Sequence, residues 1–148
     1  MPQHSERRRR DTKAPHQVAV IALRRKKDDL EVCLIRRQGS RTWSIPKGFI
    51  DDGDTREQAA LTEAHEEAGL QGRVRGRTIG TYEYQKRGAR FVVAVYVMEV
   101  LRTQSHWMEE SFRDRRWAPL DDATSLLKKH PVRRIWNRVR PRLASRLR

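Results

Sequence analysis

Cysteine is almost absent from this 148-residue sequence. Cys33 stands alone, so no disulfide can form within the chain, and a reducing compartment, the cytoplasm, is the expected location. Long hydrophobic runs are missing too. The longest fully apolar stretch, Val18 to Leu23, is far shorter than the ~18 residues a spanning helix needs. Arg24-Arg25-Lys26-Lys27 follows at once, which excludes the apolar core of a secretory leader. No contact with a membrane is expected. Internal repeats are absent, and acidic residues vanish near the end: residues 124–148 hold nine Lys/Arg and no Asp or Glu.

What remains is a basic, soluble chain with its charge at the ends. The formal charge is +14, of which residues 1–16 carry +3 and residues 124–148 carry +9, leaving the middle nearly neutral. A chain of this length buries a core without disulfides or a structural metal. The expected organisation is a basic arm over residues 1–16, one domain over 17–140 and a basic tail over 141–148. The aperiodic arm contains Arg7–Arg10, Pro2 and Pro15.

Residues 17–24 and 30–35 suit two strands paired as a hairpin across Lys26–Asp29. Pro46 keeps Ile45 extended. A helix is predicted over 55–68, capped by Asp54 with Glu57 as the reciprocal partner and stopped by Gly69. Strands are expected near 74–84, 91–101 and 112–117, then helices over 120–129 and 131–139, with Pro141 ending the pattern. Strands on both sides of a central helix suggest a mixed sheet between helices, an α/β class.

The chemistry-bearing segment joins the loop Gly48–Asp54 to Thr62–Leu70. At about 100° per residue, Glu63, Glu66 and Glu67 share one arc of the helix, and Ala60, Leu61, Ala64 and Ala68 the next. Like charges three and four apart cost a few tenths of a kcal/mol each, which a hard cation such as Mg²⁺ or Mn²⁺ offsets through oxygen ligands. Alone, the Glu-x-x-Glu-Glu pattern also reads as an ordinary solvated helix face. Gly48 adds a point where backbone comes close to a metal or phosphate.

The segment resembles the box of the Nudix hydrolases: Gly, five residues, Glu, seven residues, Arg-Glu-apolar-x-Glu-Glu-x-Gly-apolar. Gly48, Glu63, Ala64, Glu66, Glu67, Gly69 and Leu70 stand in register. Asp54 replaces the first Glu and Thr62 the Arg. The resemblance implies an α/β/α sandwich and cleavage of a P–O–P linkage by metal-activated water. It makes Glu63 and Glu67 metal ligands, Glu66 the base or a further ligand, and the Lys47 carbonyl part of the metal site. In the family the missing Arg pairs with the first Glu and orients the carboxylates; an Asp54–Thr62 hydrogen bond is the expected substitute.

Outside the box, Trp43–Gly48, Glu83–Lys86, Arg113–Trp117 and Lys129–Val132 resemble the diphosphoinositol polyphosphate phosphohydrolase branch. That branch takes diphosphoinositol polyphosphates and dinucleoside polyphosphates. Candidate phosphate contacts are Arg36, Arg37, Arg41, Lys47, Gly48, Arg90 and His130, with Lys86 and Arg87 nearby; guanidinium groups grip phosphate in forked pairs. The other reading of each is a solvated surface charge. Trp43 and Trp117 suit the core or a base-stacking surface. An alternative function is polyanion or RNA binding through the basic ends, on the same fold with a weakened site. The sequence leaves the oligomeric state open.

Overall fold

The computed structural model describes residues 14–148. Most of the expected basic arm, residues 1–13, lies outside the described residues. The arm's last residue already belongs to the fold. The His16 amide donates to the Val92 carbonyl at 2.9 Å, and the His16 carbonyl accepts from Ile50 N–H at 3.2 Å.

Seven strands form one mixed sheet. β1 (Gln17–Lys26) and β2 (Asp29–Arg37) make the expected antiparallel hairpin, Lys26 facing Asp29. β1 runs parallel to β6 (Ala89–Thr103), and β7 (Arg113–Pro119) pairs antiparallel with β2. The short β3 (Lys47–Phe49) lies against the start of β1. Val18–Leu23 is apolar throughout because both faces of β1 are covered.

The strand expected near 74–84 is two strands. β4 (Leu70–Val74) pairs with the end of β6 and β5 (Gly80–Lys86) with its beginning. Gly76, at φ 81°, turns the chain between them. A single long β6 therefore binds both along one edge, which the local sequence pattern does not reveal.

The first helix, α1 (Arg56–Ala68), is close to expectation, but its cap is one residue later. Thr55 Oγ1 accepts from Gln58 N–H at 3.1 Å, and Gln58 Oε1 accepts from Thr55 N–H at 2.8 Å. The capping box is therefore Thr55 with Gln58, in place of the expected Asp54 with Glu57. Gly69 ends the helix in the left-handed region, φ 68°, as expected.

Helices α2 (Leu120–Leu126) and α3 (Arg133–Val139) are shorter than expected. The tail, in contrast, is not separate. A 3-10 turn, Arg140–Arg142, takes up Pro141 in its first turn, and α4 (Leu143–Arg146) follows. Val139, Leu143 and Leu147 continue one apolar stripe at four-residue spacing and are all buried, so the core reaches Leu147. The α2–α4 segment covers one face of the sheet, against Ile21, Leu23 and Leu34; α1 covers the other, against Val18, Val20 and Ala22. Among the described residues, no helix is long and apolar enough to cross a membrane.

Candidate active site

Helix α1 meets the sheet through Ala60, Ala64 and Ala68, all without exposed surface. These small residues at four-residue spacing let the helix lie close to the strands. Glu63 and Glu67, one position before Ala64 and Ala68, are thereby carried to the edge of the sheet beside β3. A Cβ on Gly48 would fall inside the Glu63 carboxylate, so only glycine leaves room for it. Glu67, with 6% of its surface exposed, accepts a hydrogen bond from the Lys47 amide at 2.8 Å. The spacing of the box is thus expressed as contact between its loop and its helix.

Burial and crowding tune these acids. Burial pushes Glu63 up to about 7, reinforced by repulsion from Glu67, Glu66, Glu109 and Asp51. Burial also pushes Glu67 up to about 7, against the Lys47 hydrogen bond and the Arg113 charge that favour its ionised form. Desolvation wins at both. Glu66 is half-buried and opens on a different cleft, with Leu61, Thr62, His65 and Met108.

The fit to a hard divalent cation rests on the donors: carboxylate oxygens of Glu63 and Glu67 and the oxygen-rich Gly48 loop, with a glycine where any side chain would obstruct. Among the described residues, no group of three or more acidic, His or Cys side chains already stands in ligating geometry. Glu67 is instead held by Arg113, whose Nη2 lies 3.0 Å from Glu67 Oε2.

A cleft of about 410 Å³ opens beside these residues. Lys47, Gly48, Arg36 and Arg37 line it, together with Lys86, Tyr84 and Arg113. Lys47 Nζ sits 4.0 Å from the centre of the Tyr84 ring. Arg36 is partly committed: its Nε donates to Asp114 at 3.0 Å and its guanidinium lies over Trp43. Three expected contacts are not on the cleft wall. Arg41 is exposed beyond it, in the loop whose neighbours Ser40 and Thr42 do line it. Arg90 pairs through two nitrogens with Glu83 at the β5–β6 hairpin end, at 2.9 and 2.6 Å. His130 turns inward, with Nδ1 accepting from Val132 N–H at 3.0 Å and its ring edge-on to Tyr82. Burial, helped by the Lys47 charge, lowers His130 to about 4 and keeps it neutral near pH 7. Trp43 is a core residue; Trp117 packs against the α1 side of the core. Asp54 and Thr62 are exposed, and among the described residues no hydrogen bond joins them.

Two site residues were not among the expected ones: Glu109 had no signal in the sequence, and Arg113 stood only within the segment Arg113–Trp117, without a role at the site. Glu109 lies in the loop after β6, its amide donating to the Glu66 carbonyl at 3.1 Å, and its charge acts on both Glu63 and Glu67. Arg113 links it to the helix, with Nε 2.6 Å from Glu109 Oε1.

The NUDIX domain model matches residues 14–138, most of the chain. The chain belongs to the Nudix hydrolase family. Nudix hydrolase 4 of Arabidopsis thaliana is 31% identical over 96 residues, 64% of this chain and 46% of that protein. Human diphosphoinositol polyphosphate phosphohydrolase 2 is 30% identical over 115 residues, 76% of this chain and 62% of that protein. The chain therefore spans roughly half to three-fifths of these relatives. Among solved structures, the C. elegans Ap4A hydrolase binary complex superposes with a TM-score of 0.74 at 20% identity, covering 89% of this chain and 99% of that one. The M. smegmatis Nudix hydrolase RenU gives 0.66 at 24% identity, covering 88% and 87%. Both likenesses show the Nudix fold, with its sheet between helices.

Proposed function

We propose that this Nudix protein is a divalent-cation-dependent pyrophosphohydrolase. Its substrate is a small polyphosphorylated molecule, a dinucleoside polyphosphate or a diphosphoinositol polyphosphate. The observation that carries the reading is the meeting of Glu63 with Gly48, and of Glu67 with the Lys47 amide, at the end of a cationic cleft. Two relatives named above are a diphosphoinositol polyphosphate phosphohydrolase and an Ap4A hydrolase, which agrees with both substrate classes.

Glu63, Glu67 and Glu66, with the Lys47 carbonyl, would hold Mg²⁺ or Mn²⁺. Such an ion, when bound, neutralises phosphate charge and acidifies water. Arg37, Lys47 and Lys86 bind the phosphate chain, and the Lys47 and Gly48 backbone fixes its distance from the carboxylates. Glu66, which opens on the neighbouring cleft here, would have to turn toward Glu63 and Glu67 to take the proton from the attacking water. Water oxygen bonds to one phosphorus, the bridging P–O bond breaks, and the departing phosphate keeps the bridging oxygen. Arg41, Arg90 and His130, placed off the cleft wall, have no part in this scheme.

A second reading, polyanion binding by a weakened enzyme, is favoured by the unpaired Asp54 and Thr62. Phosphate release from a panel of both substrate classes, with Mg²⁺ or Mn²⁺ and again in excess EDTA, separates the two. Metal-dependent release supports the enzyme; tight binding of the polyphosphates without any release supports the binder.

A further inference from the structure

Strand β7 brings two guanidinium groups to the end of helix α1. Arg113 and Arg115, two residues apart, share one face of the strand. Arg115 Nη1 donates to the Ala68 carbonyl at 2.8 Å and the Gln104 carbonyl at 2.7 Å, and its guanidinium lies 4.1 Å from the Trp107 ring centre. The last turn of α1 and the loop after β6 are thereby fastened to one strand. Arg113 reaches further, to the acids themselves. It bridges Glu67 at 3.0 Å and Glu109 at 2.6 Å, and all three side chains are largely buried. A planar guanidinium presents separate N–H groups to two carboxylates in fixed directions, which an ammonium on a flexible stem does not.

We propose that Arg113 is a positioning residue that does from β7 what the box arginine does elsewhere in the family, aiming Glu67 and bringing Glu109 to the same site. Position 62, where that arginine would stand, holds an exposed threonine that makes no hydrogen bond to Asp54. No other arginine or lysine is ion-paired to Glu63, Glu66 or Glu67 among the described residues. The job left vacant in the helix is filled by a residue 46 positions after Glu67 in sequence. Being long-range, it is invisible to any reading of the box alone.

This inference rests on the pyrophosphohydrolase reading, and its test separates the two. The full chain and its Arg113→Lys and Arg113→Ala variants are compared in three measurements: Mn²⁺ affinity by calorimetry, kcat and KM for a dinucleoside polyphosphate, and rescue of Arg113→Ala by added guanidinium. The expected result is a loss of about tenfold to a hundredfold in kcat in both variants, with KM changed little. Mn²⁺ affinity should weaken as well, and guanidinium should restore part of the kcat of Arg113→Ala. Should Arg113→Ala not fold, Arg113→Lys, which keeps the charge but not the fork, carries the test. Wild-type kcat in Arg113→Lys, or Mn²⁺ binding that tightens when the guanidinium is removed, overturns the proposal: Arg113 would then be a bystander or a competitor of the cation. A wild-type chain that releases no phosphate with Mn²⁺ overturns the pyrophosphohydrolase reading instead, and this inference with it.

Discussion

The two faces of the sheet are built from different materials. On the α1 side the helix itself contributes small contacts, Ala59, Ala60, Ala64 and Ala68 against Val18, Val20 and Ala22, with Tyr96 and Met98 of β6 in the same cluster. On the other side they are large: Trp136, Leu127, Leu143 and Ile135 against Ile21, Leu23 and Leu34. Small residues bury less apolar surface but let a helix approach closely, and here that closeness sets Glu63 against Gly48. Large residues supply the bulk of the hydrophobic stabilisation, at about 25 cal/mol per Å² removed from water. One face places charge and the other holds the fold. The charge on the stabilising side is correspondingly kept outside, with Arg133, Arg134, Arg142 and Arg146 all exposed.

That division is breakable, and the largest break should come from the helical side. Trp136 is fully buried and donates from Nε1 to Thr124 Oγ1 at 2.9 Å. Trp136→Ala should cost about 4 kcal/mol of stability in denaturant titration. Phosphate release per folded molecule, measured well below the midpoint, should stay near wild type. A fall in kcat of the folded fraction would show that the two faces are not separable.

His130 marks where the two halves meet, packed on Tyr82 and within the field of Lys47. Its folded pKa of about 4 lies below the ordinary 6.5, so the unfolded chain takes up the proton first as pH falls. Its neutral form therefore contributes stability above pH 6.5 that is lost between 6.5 and 4, amounting to about 3 kcal/mol. His130→Asn keeps an acceptor for Val132 N–H without titrating. Urea midpoints at pH 7 and pH 4.5 should differ less in the variant than in the wild type. An equal acid sensitivity in both would show that His130 does not contribute to it.

Gly48 is the point at which the α1 face meets the loop of the site. The side chain of Gly48→Ala meets the end of the half-buried Glu63, which gives way rather than the backbone. The fold should lose no more than about 1 kcal/mol. Displacing Glu63 by such a distance should lower kcat about a hundredfold. A variant as active as wild type would show that Glu63 need not rest against the loop.

How much of this was legible beforehand follows from the range of the interactions. Helix α1, its Gly69 stop and the Gly48–Glu63–Glu67 grouping are written in local spacing, and a shift of the cap by one residue leaves that grouping untouched. The cleft residues divide by what competes for them. Lys47, Gly48 and Arg37 line it because β2 and β3 put them there, whereas Arg90 is taken by Glu83 across a hairpin, a pairing read only from register. His130 turns inward because the following turn offers it a backbone N–H. Pro141 reads as a stop, yet Leu143 and Leu147 extend the buried stripe past it. Glu109 and Arg113 depend on a loop and strand remote from the box, where spacing carries no information about contact.

If Glu63 and Glu67 hold a cation for cleavage of a phosphoanhydride, Glu67→Gln removes one of its two main ligands. The substitution keeps shape and the acceptor for the Lys47 amide but removes the charge. Phosphate release from a dinucleoside polyphosphate is measured for both proteins across a Mn²⁺ titration and in EDTA, with the thermal midpoint taken on the same samples. The expected outcome is wild-type release that requires Mn²⁺ and stops in EDTA, release abolished in the variant, weaker Mn²⁺ affinity, and a midpoint unchanged or slightly raised. Near-normal release by the variant with near-normal Mn²⁺ affinity, or wild-type release that persists in EDTA, would contradict it.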